Sequence, residues 1–98
     1  MHEDNWKFDP IHLDYYSDPA HGWFRVKRVV LAQFGVADKV STCSYERGEY
    51  VYLEEDCDGP VLIRAAEAAG VGVYVKEHKP TQGDSHIRNM DRYIGGAA

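Results

Sequence analysis

At 98 residues the chain has room for one small hydrophobic core and predicts a single domain. Its 44% hydrophobic and 12% aromatic content excludes a disordered chain. The net charge of -5 favours solubility and speaks against a protein that grips nucleic acid through a basic face.

No apolar run approaches the roughly 18 residues that a membrane helix needs, and no leader segment is visible, so the expectation is a cytoplasmic protein. Cys43 and Cys57 match no C-x-x-C or zinc-ligand spacing and read as free thiols, close together only if the strands around them pair. Charge is spread unevenly. Residues 1–20 carry a net -4, residues 21–40 a net +3 and residues 41–60 a net -5, so two acidic segments bracket a basic one.

In chain order, residues 1–19 show no sustained period and read as an N-terminal arm whose aromatics pack onto the domain, with room for a short strand at 13–16. Asp18-Pro19 marks a turn. Residues 22–26, GWFRV, alternate as a strand with Trp23 and Phe24 on opposite faces. From Lys27 the period turns helical through Val30, Leu31 and Phe34, and Gly35 closes the helix.

Residues 40–46 and 49–54 read as two strands of a hairpin, with Gly48 supplying the positive φ of the turn. On the second strand Val51 and Leu53 are assigned to the core face, Tyr50 and Tyr52 to the other. Residues 60–69 make the best helix: Pro60 in the first turn, Asp58 as cap, Gly70 as stop, and a buried stripe of Val61, Leu62, Ala65, Ala66 and Ala69. Residues 72–79 are a last strand. Residues 80–98 form a polar tail in which Ile87, Met90, Tyr93 and Ile94 anchor one turn. The order β-α-β-β-α-β predicts an α+β fold, a four-stranded mostly antiparallel sheet with two helices on one face.

The sequence is organised around residues 50–60, YVYLEEDCDGP, where a strand runs into four carboxylates at the start of a helix. Three readings of Glu54, Glu55, Asp56 and Asp58 stand side by side: a hard-metal site, which lacks the ordered DxDxDG loop; plain helix capping; and a surface for a basic partner. His21 beside Asp18 is the local candidate for acid–base work, against a simple packing role. Cys57 among acids makes a poor nucleophile. No phosphate-binding glycine motif is present, and no cofactor or metal is implied. Arg25, Lys27, Arg28 and Lys39, with Arg88 and Arg92, either touch a nucleic-acid backbone or form a solvated face. Seven tyrosines exceed what one core layer takes, which points to tyrosine anchors beside carboxylates at a protein interface.

The segments YYSDPAHGWFRV, FGVADKVSTCSYERGEYVYLEEDCD and SHIRNMDRY resemble a family of small proteins carried by phages, prophages and plasmids, over residues 15–93. Ala20 and Cys43 depart from its usual pattern. Most members have no assigned activity, and the resemblance implies a host-defence inhibitor similar to anti-CRISPR proteins, acting in the bacterial cytoplasm. The leading expectation is a non-enzymatic inhibitor that binds a Cas subunit of a CRISPR effector and blocks DNA recognition. Its DNA-mimicking edge would comprise Asp14, Tyr16, Asp18, Tyr50, Tyr52, Glu54, Glu55, Asp56 and Asp58. The alternative is a small nucleic-acid-binding accessory protein using Arg25, Lys27, Arg28, Arg88 and Arg92. Either a monomer or a homodimer fits, the latter through an open sheet edge.

Overall fold

Apolar and polar residues alternate through IHLDYYS, and this stretch of the expected arm is a strand inside the sheet. The computed structural model describes residues 9–94. It contains strands β1 (Ile11–Ser17), β2 (Gly22–Lys27), β3 (Tyr45–Arg47), β4 (Tyr50–Glu54), β5 (Val73–Glu77) and β6 (Asp91–Arg92). Helix α1 (Arg28–Gln33) follows β2 and helix α2 (Gly59–Ala68) follows β4, and 3-10 turns occupy Ala37–Lys39 and His86–Asn89.

The α+β class is as expected, but the sheet has six strands, in the order β5-β1-β2-β4-β3-β6. It is mixed. β1 pairs with β5 in parallel, and the remaining pairings are antiparallel. The two extra strands come from the segments read as arm and tail, whose short alternations become strands only when neighbours offer backbone partners. The expected strand over residues 40–46 shrinks to Tyr45–Arg47, because Ala37–Lys39 is a 3-10 turn and Ser44 N–H closes another turn on the Ser41 carbonyl at 3.3 Å.

Register decides which side chains share a face. Phe24 lies opposite Leu53 and Val26 opposite Val51, while Tyr15 lies opposite Phe24. On this face Leu13, Val26, Val51 and Leu53 pack with Leu31 of α1 and Leu62 of α2. Leu13, Leu31, Leu53 and Leu62 are at most 2% exposed, and burial of each such side chain contributes roughly 2 kcal/mol. Val51 and Leu53 are therefore core, as their alternation predicted.

The other face is also covered. Trp23, Tyr45, Tyr52, Ile87 and Met90 form a second buried cluster with Tyr16 and Tyr50 at its border. The anchoring turn expected in the tail is real: Ser85 Oγ accepts from Ile87 N–H at its start, and Ile87, Met90 and Tyr93 are buried. Ile94, assigned to the same anchor, is exposed. In α2 the stripe holds for Leu62 and Ala66, both fully buried, whereas Ala69 lies outside it. Gly48, Gly35 and Gly70 have φ of 59°, 68° and 72°, so the hairpin turn and both helix ends sit where the sequence placed them.

Candidate functional site

The end of the sheet where β1 turns into β2 and β4 runs into α2 collects most of the chemistry-bearing side chains. Its centre is a cleft of about 330 Å³ lined by His21, Trp23, Cys43, Tyr45, Glu54, Cys57, Arg88 and Arg92. Beside the cleft the turn after β4 carries Glu55 and Asp56 into solvent.

Three carboxylates in this region hold the fold together. Asp18, in the turn after β1, has a side chain with no solvent exposure. Arg88 donates to it twice, at 2.7 and 2.9 Å, and the backbone N–H groups of Ala20, His21 and Ser85 add three more bonds at 2.9–3.0 Å. The Arg88 guanidinium foremost, and then these backbone donors, hold the carboxyl well below the usual range despite burial.

Asp58 is 3% exposed and stands at the N-cap position of α2, yet it makes no side-chain bond to the helix. It accepts instead from Ser41 N–H at 3.1 Å, Ser41 Oγ at 2.9 Å and Ser44 Oγ at 2.5 Å. Expected as a helix cap and partner contact, it is a clasp between two loops. Glu54 closes its own turn, accepting from the N–H groups of Asp56 at 2.9 Å and Cys57 at 2.8 Å.

Of the nine residues assigned to a partner surface, the fold therefore withdraws Asp18 and Asp58 into the interior, and Tyr52 with them at 9% exposure. The buried carboxylates each meet several donors, and Tyr52 packs in the second cluster. Asp14 forms an ion pair with Arg25 and a hydrogen bond with His78 Nε2, both at 2.9 Å. His78 foremost, and Arg25 after it, keep the Asp14 carboxyl below its ordinary value against desolvation. Tyr16 stacks on His78 with ring centroids 4.4 Å apart, and Tyr50 lies 4.5 Å under the Arg25 guanidinium. These groups sit on the tyrosine face, apart from the turn that carries Glu55 and Asp56.

The expected His21–Asp18 pair does not form between side chains. The His21 ring meets Glu54 at 3.3 Å, and Asp18 takes only the His21 backbone N–H. The physical cause is the Asp-Pro turn, which aims the Asp18 carboxylate inward at the tail.

Glu55 accepts from Tyr15 Oη at 2.7 Å. Tyr15 lies opposite Glu77 of the parallel neighbour β5. Burial first, then the bond to Glu55 and the charges of Glu55, Glu77 and Asp56, push the Tyr15 hydroxyl up to about 12. Gly22 makes this packing possible, since a Cβ there would fall on the Tyr15 phenol.

The cations proposed for nucleic acid are largely engaged inside the fold. Arg25 holds Asp14, Arg28 bonds Glu46 at 2.5 Å and the Gly48 carbonyl at 2.7 Å, and Arg88 holds Asp18. Arg92 lies over the Tyr45 ring and donates to the Thr42 carbonyl at 3.1 Å. The residues that sequence reasoning left out of any site are Trp23, Tyr45 and the two cysteines, which face one cleft from three segments. The only local signal was that Cys43 and Cys57 flank the β3–β4 hairpin, one just before it and one just after it.

Among the described residues no group of three His, Cys, Asp or Glu side chains is placed to hold a metal ion, and no helix is long and apolar enough to cross a membrane. No family model, curated protein or solved structure matches the chain.

Proposed function

We propose that the chain is a non-enzymatic binding protein that offers the corner formed by Glu55, Asp56 and Glu77 to a cationic partner surface. The observation that carries this reading is geometric: Glu55 and Asp56 stand in solvent on the turn after β4, Glu77 lies opposite Tyr15 across the β1–β5 pairing, and the Tyr15 hydroxyl donates to Glu55 at 2.7 Å. All three acids are exposed, and none forms an ion pair among the described residues. The adjacent exposed carboxylates Glu55 and Asp56, held on a tight turn, steer encounter with a basic groove.

The partner class follows from the resemblance to proteins of phages and plasmids: the DNA-contacting groove of a CRISPR effector subunit, which the corner occupies in place of phosphates. The edge is narrower than the sequence implied, since Asp14, Asp18, Glu54 and Asp58 serve internal contacts. The nucleic-acid reading is weaker for the same reason, because Arg25, Arg28 and Arg88 already hold carboxylates.

The test is capture of the tagged protein from a lysate containing an assembled CRISPR effector, with Glu55→Gln/Asp56→Asn as the comparison. The native chain is expected to retain a Cas subunit, with affinity falling as salt rises, and the variant to bind at least about tenfold more weakly. Equal retention by both proteins sinks the acidic corner. Retention of nucleic acid alone transfers the function to the arginines.

A further inference from the structure

The two cysteines come from loops 14 residues apart, and their sulfurs stand 2.8 Å from each other at the rim of the cleft. Both side chains are free thiols and both residues are exposed. The approach is enforced by the structure around it. Ser41 and Ser44, on either side of Cys43, are tied to Asp58, next to Cys57, and Ser44 Oγ also accepts from Glu54 N–H at 2.9 Å. Ser44 is fully buried and Asp58 nearly so, which makes this lacing a fixed part of the core. Each cysteine lies on a turn, so the remaining movement to a bond of about 2.05 Å strains no strand or helix.

We propose that Cys43 and Cys57 are a dithiol–disulfide site that exchanges with low-molecular-weight disulfides and closes a covalent bridge at the mouth of the cleft. The site stands whether or not the acidic corner binds a partner.

The Cys57 thiol donates toward the Cys43 sulfur. That bond, burial, and the charges of Cys43, Asp58 and Glu54 push the Cys57 thiol up to about 11, so it keeps its proton at neutral pH. Cys43 is the sulfur that receives this hydrogen bond. Its carbonyl lies 3.5 Å from the guanidinium of Arg92, which brings a positive charge to the Cys43 end of the cleft.

One of the two cysteines, as thiolate, attacks one sulfur of the incoming disulfide, forming a mixed disulfide and expelling one thiolate. The other cysteine then loses its proton and attacks the first cysteine's sulfur, expelling the second thiolate. Both thiolates leave as thiols with the two protons. One external disulfide is reduced while one internal disulfide forms.

Incubation of the native chain with a graded ratio of oxidised to reduced glutathione tests this. Reactive thiols are expected to fall from two to none per chain, with a mass loss of two hydrogens and no dimer on a non-reducing gel. Closing this short loop raises Tm by about 10 to 20 °C relative to the reduced chain. Cys57→Ser is expected to stop at one glutathione on Cys43, and Cys43→Ser at one glutathione on Cys57, neither variant forming the internal bridge. Two thiols still titrating in excess oxidised glutathione, a product carrying two glutathiones, or intermolecular dimers would each overturn the site.

Discussion

Asp18 ties the β1–β2 turn to the tail, because one carboxylate collects five hydrogen bonds from two separate segments, Ala20 and His21 beside it and Ser85 and Arg88 in the tail. Its folded pKa lies below the value of about 3.9 that it has in an unfolded chain. The stabilisation is therefore fully present above about pH 4 and is lost as the pH falls further, toward the folded value. Asp18→Asn is expected to lower stability at pH 7 and to flatten the acid limb of a Tm-versus-pH profile. Removing the cation instead, by Arg88→Ala, leaves a buried carboxylate without its counter-charge and is expected to lower the midpoint of chemical denaturation at pH 7. A wild-type acid limb retained in Asp18→Asn would show that another group controls it.

At the scale of elements, the β1–β2 turn and the start of α2 are held together by two close approaches. Tyr15 crosses over Gly22, and Phe24 lies 2.9 Å from the position of a Cβ on Gly59. Gly22→Ala must displace the phenol and break its bond to Glu55. The expected result is a Tyr15 pKa that falls from about 12 toward the ordinary 10, read by NMR titration of the ring carbons. Glu55→Gln is expected to move it in the same direction without the steric change. A raised pKa favours the neutral phenol, so the contribution to stability is complete below pH 10 and declines as pH rises through 12. An unmoved titration in both variants would dissociate Tyr15 from the acidic corner.

Across the whole molecule the sheet is a middle layer. Helices α1 and α2 cover one face, and the tail covers part of the other through Ile87 and Met90. Ile87→Ala is expected to cost roughly 2 to 5 kcal/mol, as for other large-to-small changes in a packed interior. It should also shift tryptophan emission to the red as water reaches Trp23, which is 1% exposed and shares the cluster. A loss below about 0.5 kcal/mol would mean that the tail is dispensable to the fold.

By itself the sequence determined the helices, the hairpin, their glycine stops and the core face of β4. Each of these rests on local periodicity or on one residue's φ preference, which a chain expresses over a few neighbours. Only the tertiary structure decided that residues 11–17 are an interior strand and that Asp18 and Asp58 turn inward. It likewise decided that the tyrosine face lies beneath a tail, and that two thiols 14 residues apart meet. Those outcomes depend on partners distant in sequence: Arg88 for Asp18, Ser41 and Ser44 for Asp58, β5 and β2 for β1. An acidic residue reads as surface until the chain is folded, because the donors that make its burial favourable are themselves brought close only by the fold.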